Sequence, residues 1–270
     1  MAKYKIGQLS KTMGVSTHSI KHYEKFRLVH PHKDDTTNYR YYDLSQYARI
    51  IECRKFRNIG VPIKDISLLL NDSNNNEFNE ILEDHISDLD SQIKTLLHQK
   101  KLAETLYNKS KYCDKYLNEW FIDIMPSIYF LKQSNNTDII EDNHSFIDDI
   151  NLIDYVPIVE SILCINKDSF INNNITYSWG LGFTEENSYL INSTITKNNK
   201  FTRIESRKCF ITYIKIQLPY IANGSLINTI KNILIKFPIK ISSDILAFSI
   251  KKSNDNGVVY EYLKICIPIN

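Results

Sequence analysis

"STHSIKHYEKFRLVHPHKDDTTNYRYYD", residues 16–43, gathers basic, histidine and aromatic side chains on a short segment, passes Pro31 and a polar run, and ends in Asn38-Tyr39-Arg40-Tyr41-Tyr42. Ser16 offers an N-cap oxygen to a helix starting at Thr17. The spacing of Ile20 and Tyr23 turns both inward and leaves His18, Ser19, Lys21, His22 and Lys25 outside. Upstream, residues 4–15 place Ile6, Leu9, Met13 and Val15 near one helical face broken by Gly14. Helix, glycine turn and capped second helix make the helix-turn-helix layout. Downstream, Lys33-Asp34-Asp35-Thr36-Thr37-Asn38 reads as a hairpin loop with Tyr39 to Tyr42 as its return strand, and two further helices are expected over 44–59 and 63–71.

Charge and cysteines bound the chemistry. The chain has 270 residues and a net charge of +2, with 43% hydrophobic and 11% aromatic residues, enough for more than one core. Residues 1–70 carry thirteen Lys/Arg against six Asp/Glu, a surplus of seven, which leaves the remainder a deficit of five. Five cysteines lie far apart with no C-x-x-C pair, which reads as buried free thiols; neither a cofactor nor a resident metal is expected. No run of eighteen uncharged apolar residues exists and the opening MAKYKIGQLS lacks a signal-like apolar stretch, so no membrane partner and a cytoplasmic address are expected.

From about Glu77 to Asn118 there is no proline or glycine, and Leu82, Ile86, Leu89, Ile93, Leu96, a polar Lys100, Ala103 and Tyr107 recur at alternating spacings of four and three. Such a helix is roughly 60 Å long. Its seam pairs with a second copy of the chain or packs inside a larger bundle. Beyond Trp120, strands are expected at 127–132, 157–165, 177–183, 189–195, 208–217, 244–251 and 258–267, and helices at 145–155 and 225–237. Strands with segregated helices make an α+β unit. The domains read as 1–75, a dimerisation helix 76–119, and 120–270.

A helix carrying His18, Ser19, Lys21 and Lys25 suits the DNA major groove, and the basic surplus supplies sequence-independent affinity. Tyr23 combines two readings, a hydroxyl on a phosphate and a ring packed on Ile20 and Leu28. The loop at 32–38 reads as a solvated turn or as a wing along the backbone, placed by Tyr39 and Arg40.

"YKIGQLSKTMGVS", "IKHYEKFRLV", "NYRYYD" and "ARIIECRKFRNIGVPIKDISLLL" stand in an order and spacing that resembles the DNA-binding domain of MerR-type transcription regulators. The chain departs from that pattern where Lys21 and His22 replace a usual arginine and Asn38 a usual glycine. The resemblance implies a winged helix-turn-helix whose DNA contacts come from Ser16, Thr17, His18, Ser19, Lys21, His22, Tyr23, Lys25, Lys33, Tyr39 and Arg40. It further implies a homodimer on double-stranded promoter DNA that remodels an overlong spacer for RNA polymerase.

The part from "PSIYFLKQ" to "YEYLKICIPIN" resembles the GyrI-like effector-binding domain of multidrug-responsive members, which implies an antiparallel sheet with a cleft for a small, often aromatic compound. In the last strand Tyr260, Tyr262, Lys264 and Cys266 share one face and Glu261 lies on the other; Tyr177 and Trp179 also alternate with small residues. Tyr177, Trp179, Tyr260, Tyr262 and Lys264, with Glu205 or Glu261 as acid, are the candidate ligand residues. Many relatives have Glu where Lys264 stands. That leaves a neutral or anionic ligand, an acid from Glu205 or Glu261, or a domain without drug binding. Alternatives for the whole chain are a GyrI-like hydrolase or sequestering domain fused to the DNA-binding module, a metal or redox sensor using Cys113, and an architectural dimer. With no nucleophile–base motif, no enzyme is expected.

Overall fold

Contacts divide the chain into one unit ending at Leu96 and another beginning at Leu97. The computed structural model describes residues 3–34, 36–192, 195–221 and 224–270. In the first unit Tyr4–Lys5 (β1) precedes Ile6–Met13 (α1), so the expected first helix begins two residues late. It stops at Gly14, whose φ of 63° is the left-handed conformation a glycine adopts without penalty. Thr17–Lys25 (α2) starts where Ser16 accepts the Ser19 amide at 3.0 Å. His32–Lys33 (β2) and Arg40–Tyr42 (β3) form the expected hairpin, and β1 completes a three-stranded sheet in the order β1-β3-β2. Asp35 of that loop lies outside the described residues. Leu44–Asn58 (α3), capped by Asp43, and Ile63–Asn71 (α4) close a core of Leu9, Ile20, Tyr23, Tyr42, Ile50 and Phe56.

Asn75–Lys115 (α5) is a 41-residue helix. Within the single chain its four-three seam faces solvent from Ile86 onward, with Ile86, Leu89, Ile93, Leu96 and Tyr107 exposed, while Leu82 packs against the core of the first unit.

The second unit runs Trp120–Met125 (β4), Ile128–Lys132 (β5), Ser134–Asn135 (β6), Asp138–Ile139 (β7), Phe146–Ile147 (β8), Ile150–Asn151 (β9), Glu160–Ile165 (β10), Lys167–Ile171 (α6), Tyr177–Thr184 (β11), Ser188–Ile191 (α7), Phe201–Ile204 (β12), Arg207–Gln217 (β13), Ser225–Lys236 (α8), Ile245–Asp255 (β14) and Val258–Pro268 (β15). Eight of these strands form one sheet in the order β12-β5-β11-β10-β14-β15-β13-β4, antiparallel throughout. One face packs Leu163, Ile165, Ile214, Leu263, Ile265 and Ile267 against α6 and α8 through Phe170, Leu226 and Ile230. The other carries Phe130, Ile162, Ile211, Tyr213, Phe248 and Cys266 and receives Cys113 and Tyr116 from the end of the long helix and the turn after it.

Two expected elements are overturned. Residues 145–155 form the β8–β9 hairpin and a 3-10 turn at Leu152–Tyr155, because Asp148 and Asp149 sit at φ 48° and 63°, where a right-handed helix cannot continue. The strand expected at 189–195 is α7 followed by a 3-10 turn from Ile195, with residues 193 and 194 outside the described set. Ile191 and Ile195, four apart, both reach the cluster of Leu181 and Phe183, while Tyr189 remains exposed. The sheet's two edge strands, β4 and β12, and the short α6 are additions to the sequence reading. Among the described residues no helix is long and apolar enough to cross a membrane.

Candidate functional site

Two sets of polar side chains are organised by this architecture. On the first unit, Ile20 and Tyr23 anchor α2 in the core, so Thr17, His18, Lys21, His22 and Lys25 are exposed on its outer face and Ser19 is half-buried. Ser16 is engaged as the cap, its hydroxyl 2.8 Å from that of Ser19. Tyr23 is buried, which accounts for the ring-packing half of its reading.

The hairpin is built for fixed geometry. Asp34 accepts hydrogen bonds from the Thr36 amide at 3.1 Å and from the Thr37 amide at 2.8 Å. Asn38 takes φ 57°, and Lys33, Tyr39 and Arg40 are exposed. Lys5 Nζ lies 5.6 Å from the Tyr39 ring centroid.

Glu24 joins hairpin to helix. Its carboxylate accepts from Arg40 Nε at 3.1 Å and from the hydroxyl of the fully buried Tyr42, whose phenol is pushed up by burial and then by that bond. Asp43 caps α3 through the Ser45 and Gln46 amides and lies 3.1 Å from His32 Nε2; the Ser45 hydroxyl, followed by the Gln46 amide, holds its carboxyl down to about 2.

Sequence reasoning missed part of this surface. His18, Ser19, His22 and Tyr23 border a recess of about 300 Å³ together with Arg54 and Arg57 of α3. Arg54 is exposed, and Arg57 donates to Val61 O at 2.9 Å. The charge surplus of residues 1–70 was the available signal, but the hairpin that separates α2 from α3 in sequence hid the juxtaposition.

On the second unit, antiparallel register aligns Tyr213, Lys264, Phe248, Ile162, Gly180 and Lys132 in one row across β13, β15, β14, β10, β11 and β5. Backbone pairing needs Gly180 here, since a Cβ would lie 2.0 Å from Leu131 O. A register shift between Ser249 and Lys251 inserts Ile250 as an extra residue and places Lys251 opposite Tyr262. Lys251 Nζ then lies 4.8 Å from the Tyr262 ring and bonds Ser110 Oγ at 3.0 Å and Asp114, tethering the end of α5 to the sheet. Lys109 makes a second tether, 2.8 Å from Glu160 and 2.8 Å from Pro157 O.

Under these tethers lies a cavity of about 320 Å³ lined by Asn108, Lys109, Tyr112, Glu160, Tyr213, Ile250 and Lys264. Tyr112 meets Tyr213 edge to face at 5.8 Å between centroids, and burial pushes both phenols up.

Of the candidate ligand residues only Lys264 lines this cavity. Tyr262 packs beside it, and Tyr260 lies farther along the strand under Lys215 Nζ at 4.4 Å. Tyr177 and Trp179 fall on the opposite face, since their register partners Ile165 and Leu163 belong to the helix-covered side; the Trp179 indole donates to Ser161 Oγ at 2.8 Å. Glu205 is exposed and bonded by Arg203. Glu261 is buried on the far side of β15, where it accepts from Ser249 and lies 3.9 Å from Lys252 Nζ. The cavity's acid is Glu160, which the sequence reading did not select.

Cys113 is fully buried, and burial pushes its thiol up to about 11. Among the described residues no group of three or more His, Cys, Asp or Glu could hold a metal ion.

Residues 4–73 match the model described as MerR HTH family regulatory protein. An HTH-type transcriptional regulator ZntR homolog of Haemophilus influenzae is 32% identical over 106 residues, covering 37% of this chain and 78% of that protein. The multidrug-efflux transporter 2 regulator of Bacillus subtilis is 25% identical over 99 residues, covering 37% of this chain but only 36% of that protein. A cryo-EM structure of an EcmrR–DNA complex in EcmrR-RPo matches 99% of each chain at 14% identity and a TM-score of 0.37. With its first 70 or so residues fitting the family model and a relative matched over most of its length, the chain belongs to the MerR family of helix-turn-helix, DNA-binding transcription regulators.

Proposed function

We propose that this regulator works as a homodimer joined along the α5 seam, sets α2 in the major groove with the β2–β3 hairpin as a wing on the backbone, and answers to a small compound held in the cavity under the end of α5. The observation that carries the reading is that one helix supplies both devices. Its middle presents an uncovered apolar seam, and its last turns, through Lys109 and Tyr112, form part of the cavity wall. A ligand there touches the same helix that sets the spacing of two DNA-reading units. Coupling follows if the ligand favours one arrangement of that helix over another. In this reading the second unit is a GyrI-like effector-binding domain, and the dimer deforms a promoter spacer for RNA polymerase, an energetic cost met by its contacts.

Relatives carry names of both multidrug-efflux and heavy-metal-dependent regulators. The aromatic lining of the cavity and the burial of Cys113 favour an organic ligand over a metal. Selection of bound duplexes from a random double-stranded library by the full chain, followed by footprinting, tests the DNA half. The expected product is a pseudo-palindrome with two equal half-sites. Enrichment of a single asymmetric half-site, or of no sequence, overturns the dimeric reading.

A further inference from the structure

We infer that the cavity beneath the end of α5 takes a small aromatic carboxylic acid, with Lys264 receiving the carboxylate. The inference rests on the cavity being the effector site and adds the ligand's charge. Three charged side chains line the space: Lys109, Glu160 and Lys264. Glu160 is occupied by Lys109 at 2.8 Å. Among the described residues Lys264 forms no ion pair, and its Nζ lies 5.7 Å from the Phe248 ring centroid. Glu205 is bonded by Arg203 and Glu261 stands on the other face of the sheet, so neither supplies the missing charge.

The lining therefore holds one uncompensated positive charge beside Tyr112, Tyr213 and Ile250. A half-buried ammonium gains from a partner, and a monoanion neutralises this site. A cation would meet two ammonium groups with one carboxylate already engaged, and a dianion would leave a surplus negative charge. The tyrosine walls and the volume of about 320 Å³ suit an aromatic body of modest size.

Calorimetry on the full chain with 2-naphthoate, 2-naphthamide and 2-naphthylmethylammonium holds the ring constant and varies the charge. The acid should bind about ten- to a hundredfold tighter than the amide, with the ammonium weakest. Lys264→Arg should keep that order, Lys264→Met should erase the acid's advantage, and Lys264→Glu should move the preference to the ammonium. Ile250→Trp, which fills the cavity, should abolish binding. If the ammonium or the amide binds as tightly as the acid and Ile250→Trp still blocks it, the charge assignment is overturned while the cavity stands as the ligand site. If none of the three binds the unmodified chain, or if Ile250→Trp leaves acid binding intact, the cavity reading fails and this inference with it.

Discussion

Lys21 and Lys25 on α2 and Lys264 on β15 carry the same ammonium group in opposite surroundings. The first two stand on an exposed helix face in a region with a surplus of positive charge. Lys264 is half-buried among aromatic rings, with its neighbour Glu160 already paired. On the open face each charge is screened over about 10 Å at 0.1 M salt, so affinity there grows by adding charges and falls steeply with ionic strength. In the proposed effector cavity a single charge is screened far less and would act by choosing among ligands. The two sites also differ in what they need from a second chain. In the proposed reading the α2 face meets a two-fold site only when duplicated, whereas Lys264 and the tyrosine walls of the cavity are supplied together by one copy of the chain.

The largest effect separates the sites on that last point. Replacing Leu89 and Ile93 together by Asp places carboxylates on the exposed seam of α5, where a partner helix would bury them at a cost on the order of several kcal/mol. Sedimentation should show a monomer that has lost specific DNA binding yet keeps its affinity for 2-naphthoate. A double mutant that stays dimeric breaks the seam assignment.

A smaller effect dissects the open face. Lys21→Ala should lose discrimination at one base pair, about 1–3 kcal/mol, with little change toward other positions. Arg40→Ala should weaken binding to all sequences alike and make the salt dependence shallower by about one unit, since Glu24 holds its guanidinium at the wing. Fluorescence anisotropy over a salt series distinguishes the two, and swapped outcomes reverse the roles.

The smallest effect concerns Asp43, the cap that joins the hairpin to α3. Its carboxyl is held down to about 2 in the folded chain, below its ordinary value. The unfolded chain therefore binds the proton first as pH falls, and the contribution is present above about pH 4 and lost as pH drops toward 2. Asp43→Asn should flatten the acid limb of the stability curve in that window. An acid limb identical to that of the unmodified chain would place the pH dependence elsewhere.

Much of the chain was legible because local rules set it. Ser16 as cap, Gly14 as stop, the inward Ile20 and Tyr23, the long seam and the apolar stripe of α8 all follow from spacings within a few residues. Alternation likewise separated Lys264 from Glu261 on β15. Residues 145–155 and 189–195 were misread because short apolar runs suit strand and helix alike until packing chooses between them.

By itself the sequence determined the capped helix α2, the hairpin after it and the unbroken length of α5, since each is contained in a contiguous stretch whose spacing, caps and breakers are local. Only the tertiary structure decided the cavity. Its row runs through Tyr213, Lys264, Phe248 and Ile162, which come from four strands, and its remaining walls come from α5 and a bulge in β14. A shift of one residue in any pairing would have turned Lys264 or Glu160 to the far face of the sheet. Register among strands so distant in sequence is settled by the packing of both faces at once, which no single segment encodes.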